Sequence, residues 1–496
     1  MRVVVVGGGI AGLVTAYRLL RSTAALNISV TLLEAAPRAG GRIATSRFDG
    51  FVVEHGADSF LATRPHGHAL AHELGLAGEL QPARHWRHRA FIRRGGRMHP
   101  LPAGLSGLVP GSAPAWLRAA MIGWPGRLRA AAERWIPARI PAGDESIAAF
   151  ARRRFGRQAY DWLIEPLLAG IHGGDGESLS VRATFPVLVG AETQYGSVTR
   201  GLHARAGPAT ANTTVPKTRA RTAAPFLTPR DGMERWIDAL LDRLGGCDLR
   251  TSTAAIAIDR GAPAQPAWTV HARTAGGLLT LAADALVLAI PAHAAARLVT
   301  DTAPGLAAQL ASIPFATTTI VQAAFAADAV RVPLEGGGHL NPRVTGRPVS
   351  ACTWTSSKFE HRAPAGAVLL RAFLKGDAAS AGDDAVIRHA LDEFRDALGI
   401  DAAPLWLRVD RHAQGMPQYT LGHQARVSAV HRALDLLPGL FVAGHSYHGV
   451  GIPDTIGSAT LAAAALLSFA GYPGAGAAID ATAPGRATRE VDAWNG

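Results

Sequence analysis

Val3-Val4-Val5-Val6-Gly7-Gly8-Gly9-Ile10-Ala11-Gly12 is the stretch that decides the fold of this chain. Four β-branched residues in a row suit a central parallel strand, which is buried on both faces and needs no polar alternation. The run enters a G-x-G-x-x-G pattern, and Leu13, Ala16, Tyr17 and Leu20 then recur at helical spacing. Gly7 permits the tight turn, Gly9 lets backbone approach a pyrophosphate, and Gly12 lets helix and strand pack closely. The helix that opens at Ile10 and Ala11 offers free N–H groups and a positive dipole end to phosphates. A second strand over residues 30–33 ends at Glu34-Ala35, placing an acid where ribose hydroxyls are bound. Strand, glycines, helix, strand and acid in one register read as a dinucleotide site.

Outside this motif the chain extends to 496 residues, more than one hydrophobic core serves, so two or three domains are expected. With 48% apolar and 18% charged residues it is globular, neither disordered nor fibrous. Fifty basic residues against thirty-eight acidic ones leave a formal charge of +12. Only Lys217, Lys358 and Lys375 are lysines, so this charge is nearly all arginine. Coding bias explains it, as would an anionic substrate, an acidic membrane surface or nucleic acid. Cys247 and Cys352 cannot build a disulfide framework or a zinc cluster. His72-Glu73 lacks the second histidine of H-E-x-x-H, and His85 and His88 have no carboxylate nearby, so no metal is expected. Val3–Val6 ends in a glycine turn rather than a cleavage site, against a signal peptide. The uncharged stretch 458–479 is broken by Gly471 and Pro473 and reads as a buried helix. A cytoplasmic protein without a transmembrane helix is expected.

Further elements follow the glycine loop. Arg38-Ala39-Gly40-Gly41-Arg42 comes directly after Glu34, then a hairpin near Asp49-Gly50, then Glu54-His55-Gly56-Ala57-Asp58-Ser59. Residues 254–258 and 268–272 read as hairpin strands, and 285–290 as an apolar strand stopped by Pro291. Near the end, 440–444 is a buried strand leading into His445-Ser446-Tyr447-His448-Gly449-Val450-Gly451-Ile452. Pro453 suits the first turn of a helix reaching Leu467. The spacing Gly444-x-Ser446-x-x-Gly449 fails the serine-hydrolase elbow. No second G-x-G-x-x-G occurs, since Gly336-Gly337-Gly338 has neither a strand before it nor a helix after it.

The R-x-G-G-R element at 38–42 resembles the second flavin motif of the amine-oxidase and protoporphyrinogen-oxidase superfamily, and 54–59 its E-x-G segment beside the flavin. Residues 446–454, Ser-Tyr-His-Gly-Val-Gly-Ile-Pro-Asp, resemble the S-Y-x-G-V-G-x-P-D loop of the protoporphyrinogen/coproporphyrinogen oxidase family. Glu145-Ser146-Ile147, Arg154-Phe155-Gly156, residues 165–171 and Leu179-Ser180 are similar to that family's middle region. Ala351-Cys352-Thr353-Trp354-Thr355 is similar to a segment of its bacterial, coproporphyrinogen III branch. The resemblance spans essentially the whole chain.

It implies an α/β protein: a discontinuous Rossmann-like FAD domain (1–85, 211–295, 433–475), a helical substrate-channel or membrane-contact region (86–210), a mixed-sheet substrate domain (296–432) and a flexible tail (476–496). FAD would be held without a covalent bond by Gly7, Gly8, Gly9, Ile10, Ala11, Gly12, Glu34, Ala35, Gly41, Arg42, Gly56, Ala57, Asp58, Ser59, the Ala254 backbone, His445, Val450, Gly451 and Ile452. The helix after Ile452 would aim its N-terminus at the flavin pyrimidine and stabilise the reduced ring. The implied reaction belongs to haem biosynthesis. A porphyrinogen loses six electrons in three flavin cycles, and dioxygen becomes hydrogen peroxide. No side chain is an obligatory acid or base, so catalysis rests on orientation. The Gly170 backbone and Leu340 would contact the ring. Arg84, Arg87, Arg89, Arg93, Arg94 and Arg97 cluster where the family holds a propionate, with Arg89 the candidate. Coproporphyrinogen III and protoporphyrinogen IX both remain open as substrates. A flavin monoamine oxidase or carotenoid-type desaturase is the alternative.

Two segments bear on partners. Residues 107–140 carry Trp116, Trp124 and Trp135 among five arginines, with Glu133 the only acid. Leu128, Ala132 and Trp135 share a helical face, which suits either a bilayer interface or a packed channel helix. Peripheral, salt-sensitive membrane contact is the expectation. Residues 200–230 are basic but hold no aromatic residue before Phe226, so an insert is expected there and nucleic-acid binding is not.

Overall fold

Two sheets of opposite character carry the chain. The computed structural model describes residues 1–22, 27–84, 90–139, 143–205, 226–261 and 267–474. In the first sheet Cys247–Arg250, Ser29–Leu33, Arg2–Val6, Ala285–Leu288 and Leu440–Val442 lie side by side in that order, all parallel. In chain order this is 3-2-1-4-5, the doubly wound arrangement whose ligand crevice opens where the order reverses. Val3 and Val5 face one core, with the helices Ile10–Ser22 and Ile452–Phe469. Val4 and Val6 face a second core, with the helix Ala292–Leu298 and the antiparallel strands Ala254–Arg260, Trp268–Thr274 and Gly277–Ala283. Burial on both faces is why the valine run shows no alternation. Ile452–Phe469 has the length and apolar character of a membrane span, but it buries Ile456, Ala459, Ala463 and Leu466 against Ile10–Ser22.

The second sheet has seven strands in the order Trp406–Pro417, Phe315–Ala326, Ala367–Lys375, Val349–Trp354, Gly338–Leu340, Phe91–Arg94 and Arg97–Pro100. It is mixed, with one parallel pair, Gly338–Leu340 on Phe91–Arg94. Its apolar face, including Val321, Phe325, Leu370 and Leu374, packs on the helix Asp383–Leu398. The opposite face turns towards the first domain. The hairpin Phe91–Pro100 corrects the expectation of a helical stretch beginning at residue 86. Gly95 and Gly96 both take positive φ, +57° and +73°. That closes a two-residue turn of the kind favoured between twisted antiparallel strands, and the hairpin extends the large sheet.

Helices between residues 113 and 205 form a third core around Trp116, Phe150, Phe155 and Leu168. A fully buried ion pair joins Glu133 to Arg154. Glu133 also accepts from Ser197 Oγ at 2.8 Å and from the amides of Val198 and Thr199 at 2.9 and 3.0 Å, capping the helix Val198–Arg205. The lone acid of the Trp/Arg stretch therefore points inward. Trp116 is also internal, stacked on Phe155 at 5.0 Å. The helix Trp124–Ala131 gives way to a tighter turn, Ala132–Trp135, instead of continuing. The tail at 476–496 and most of the basic stretch, 206–225, lie outside the described residues.

Candidate functional site

The glycine loop lies between the first strand and the helix Ile10–Ser22, where the strand order reverses. Its glycines are demanded by different things. A Cβ on Gly12 would stand 1.8 Å from the Gly7 carbonyl oxygen, and one on Gly7 2.6 Å from that of Ala289. Both are required by the fold itself. A Cβ on Gly9 would meet nothing within 4 Å. That open cradle, at a helix N-terminus whose first amides lack intrahelical partners, fits a pyrophosphate. Glu34 accepts from the Gly8 amide at 2.8 Å and the Ala36 amide at 2.7 Å, fixing its carboxylate beside the loop. The Gly40 amide donates to the Gly8 carbonyl at 2.7 Å, which draws Gly41 and Arg42 alongside Gly9. The Thr253 amide donates to the Glu34 carbonyl at 2.8 Å, so Ala254 begins its strand next to the ribose acid.

Arg42 joins three distant segments. It donates to the carbonyls of Gly415 at 2.5 Å and Gln414 at 3.0 Å, and lies 3.4 Å from His445 Nε2. Burial, then the neighbouring Arg42 charge, push the His445 imidazole down to about 4, so it is neutral at physiological pH. Tyr419 Oη donates to the His445 carbonyl at 2.6 Å. Gly451 caps the helix Ile452–Phe469, which brings Val450, Gly451 and Ile452 to its amide-rich end. Ser446 Oγ is buried and accepts from the Ala292 amide at 3.1 Å, a loop tie rather than a nucleophile.

In the 54–59 segment, side chains and backbone divide their work. The Asp58 carboxylate takes Lys358 Nζ at 3.0 and 3.1 Å and Ser59 Oγ at 2.7 Å, with Arg371 at 3.7 Å. Burial alone would raise it, but the Lys358 and Arg371 charges hold it well below the usual carboxylate range. Arg371 also donates to the Gly56 carbonyl at 2.5 Å. The Asp58 side chain therefore ties the first domain to the large sheet, and Ala57 is exposed. Glu54 is buried among Thr45 Oγ1, the Met233 amide and Arg362, a structural position.

Where ring contacts are expected, the helix Glu165–His172 packs on the large sheet. A Cβ on Gly170 would come 3.2 Å from Leu340 Cδ2, so the two expected ring contacts face one another. The expected arginine cluster disperses. Arg84 stands near Glu360 at 3.6 Å, Arg93 is buried against Glu393 at 2.9 Å, and Arg94 donates to the Met121 carbonyl at 2.5 Å while covering Trp162. Arg87 and Arg89 lie outside the described residues. Cys352 pairs in register with His339, whose ring meets Glu393 of the helix Asp383–Leu398, away from the face bearing Arg371. Cys247 sits in the outermost strand of the parallel sheet. Lys358, Arg371 and Lys375 had not been singled out. A usable signal was present: Arg371-Ala-Phe373-Leu-Lys375 places three large polar or aromatic residues on one face of an apolar strand.

A doubly wound domain with a dinucleotide cradle, closed by the polar face of a mixed sheet, defines a dinucleotide-dependent oxidoreductase. The family model for flavin containing amine oxidoreductases matches residues 10–467, so the chain belongs to that family and uses a flavin. The coproporphyrinogen III oxidase of Propionibacterium freudenreichii subsp. freudenreichii is 34% identical over 97% of this chain and 94% of its own length. That of Bacillus subtilis (strain 168) is 29% identical, over 94% and 98%. A crystal structure from Exiguobacterium sp. 255-15, provisionally named a protoporphyrinogen oxidase, superposes with a TM-score of 0.78 at 29% identity, covering 95% and 98%.

Proposed function

We propose that this protein is an oxygen-dependent porphyrinogen oxidase of haem biosynthesis that binds FAD non-covalently and prefers coproporphyrinogen III to protoporphyrinogen IX. The observation that carries the reading is the meeting of Gly170 with Leu340, the two residues expected to contact the ring. The likeness to coproporphyrinogen III oxidases runs through both domains, so it includes this pair and not only the cofactor half.

Bound FAD supplies a two-electron acceptor, used three times per macrocycle, with three dioxygen molecules becoming three hydrogen peroxide. The chain's own residues bind and orient. The Gly9 cradle and the amides at Ile10 and Ala11 hold the pyrophosphate, and Glu34 and Ala35 the ribose. Gly41, Arg42 and the 56–59 backbone line the middle of the cofactor, and His445, Val450, Gly451 and Ile452 its ring end. Absence of a thiol on this face supports non-covalent binding. The Gly170 backbone and Leu340, in contact with each other, present one surface to the ring, and Arg89 stands as the propionate partner. Holding the ring against an apolar surface supplies the orientation that the reaction requires. The protein is cytoplasmic, with weak peripheral attachment to anionic bilayers through Trp124, Leu128 and Trp135.

Anaerobic mixing with coproporphyrinogen III should bleach the flavin, and air should restore it with porphyrin fluorescence and peroxide. Bleaching by a monoamine panel or a carotene, and not by either porphyrinogen, would move the chain to the amine-oxidase or desaturase alternative. Equal kcat/KM for the two porphyrinogens would remove the stated preference.

A further inference from the structure

We propose that the Lys375 ammonium is a receptor for a substrate carboxylate, pairing with one propionate where the C-terminal end of the helix Glu165–His172 meets the large sheet; this rests on the porphyrinogen reading above. Lys375 Nζ is shielded from solvent and has no hydrogen-bond partner among the described residues. A shielded ammonium without a counterion is unfavourable, and three donors without acceptors mark a place where an acceptor arrives with a ligand. Glu165 is the acid whose charge reaches it. Its carboxylate already accepts from the Arg343 amide at 3.0 Å and makes no ion pair with Lys375 among the described residues. Burial lowers the lysine to about 8, opposed by Glu165, which leaves it mostly protonated at neutral pH. The adjacent His172 imidazole is pushed to about 4, first by burial and then by Lys375, so it adds no competing charge.

Placement ties this group to the site. Lys375 pairs in register with Thr318, and Thr318 with His412, so the three side chains share one face of the sheet. Arg371, four residues earlier on that face, reaches the Gly56 carbonyl, and His412 Nε2 donates to the His55 carbonyl at 2.8 Å. This face therefore looks towards the flavin-side segment. From the other side, Gly173 ends the helix Glu165–His172 at φ +65°, and a Cβ there would lie 3.9 Å from Lys375 Cε and 3.7 Å from Thr318 Oγ1. Gly170, nearly a turn earlier, meets Leu340. A ring lying against the joint surface of Gly170 and Leu340, which touch one another, thus has the Lys375 ammonium beyond one edge, where a propionate projects. A compact point charge suits a carboxylate arriving on a flexible chain.

The test uses the full-length, flavin-loaded protein with Lys375→Met, Lys375→Gln and Lys375→Arg, the flavin spectrum and melting temperature reporting the fold. Binding of coproporphyrin III and of its tetramethyl ester is titrated by fluorescence quenching, alongside KM and kcat for coproporphyrinogen III. The neutral variants should bind the tetra-acid about tenfold to a hundredfold more weakly and raise KM to match, with ester affinity and kcat within about threefold of wild type. The Arg variant should restore most of the tetra-acid affinity. Neutral variants that bind both ligands as wild type does, or that lose both equally, overturn the assignment of Lys375 while the porphyrinogen reading stands. Wild-type protein that neither binds the porphyrin nor is reduced by the porphyrinogen removes that reading, and the carboxylate receptor with it.

Discussion

The parallel sheet and the large mixed sheet solve opposite problems. The first is apolar on both faces, and its candidate ligand contacts are largely backbone: glycines that leave space, amides at two helix N-termini, and one carboxylate at a strand end. The second is apolar on one face only. Its other face carries Arg371, Lys375, Gln322, Asp410 and His412, each placed by strand register beside residues far away in sequence. A cofactor shared by many enzymes is met by geometry that tolerates little variation. The large sheet's polar side chains instead bond the 54–58 segment, so the junction between the two sheets is made by side chains that strand register brings together.

The largest effects should separate two kinds of glycine in the first sheet. Gly12→Ala puts a methyl group into the Gly7 carbonyl oxygen, where only backbone movement gives relief. Overpacking of this kind costs about 1–3 kcal/mol or more, so the variant should melt lower and carry little flavin. Gly9→Val places its side chain in open space. It should lose flavin while its apoprotein melts with wild-type apoprotein. Calorimetry of both apoproteins, beside the visible spectrum, checks this; a Gly9→Val protein that keeps its full yellow colour would overturn the cradle.

The junction between the sheets comes next. Asp58→Asn leaves Lys358 and Arg371 facing each other without their shared anion, and removing one partner from such a buried set costs about 3–5 kcal/mol. The sign with pH is defined. Folding depresses the Asp58 carboxyl below its ordinary 3.8, so its contribution is whole above that value and is lost as pH falls below it. Melting temperature measured from pH 6 down to pH 2.5 should therefore fall more steeply in wild type than in Asp58→Asn. Parallel curves would mean that the junction is held by Arg371 and the Gly56 carbonyl without the acid.

The same contrast explains what could be read in advance. The glycine loop, Glu34, the R-x-G-G-R turn and the Gly451–Ile452 helix start are local: each motif specifies its own conformation within a few residues. The order of the parallel strands follows from them. The large sheet is not local. Its strands come from 91–100 and from 315–417, and the hairpin at 91–100 lay hidden in an arginine-rich stretch whose only turn signal was Gly95-Gly96. Asp58 could be assigned to the flavin-side segment, but its pairing with Lys358 and Arg371 is set by approach across about three hundred residues of chain. The directions of the arginines at 84–97 could not be read for a related reason. Charge density along the sequence says nothing of direction, and Arg93 and Arg94 point to opposite sides of one strand.

The smallest effect belongs to a surface that neither sheet uses. Trp124, Leu128 and Trp135 are 63%, 59% and 65% exposed. Arg127 covers Trp124 at 4.9 Å and Arg134 covers Trp135 at 4.2 Å. With Glu133 turned inward to Arg154 and the Arg127 guanidinium held by the carbonyls of Ile122, Leu117 and Ala120, this surface presents two indole rings and Arg134, the chemistry of a headgroup interface. Packing does not explain the exposure, since the helix has its own buried contacts through Gly126 and Ala130. Trp124→Ala combined with Trp135→Ala should therefore leave stability within about 0.5 kcal/mol of wild type, as surface changes do. It should reduce flotation with anionic vesicles at low salt. At about 0.1 M salt, where charges more than about 10 Å apart are screened, wild-type flotation should fall as well. Two rings with Arg134 would give only weak attachment, so binding that survives high salt would place the anchor elsewhere. Wild-type protein that never floats with anionic vesicles would make these tryptophans an ordinary rim of the helical region.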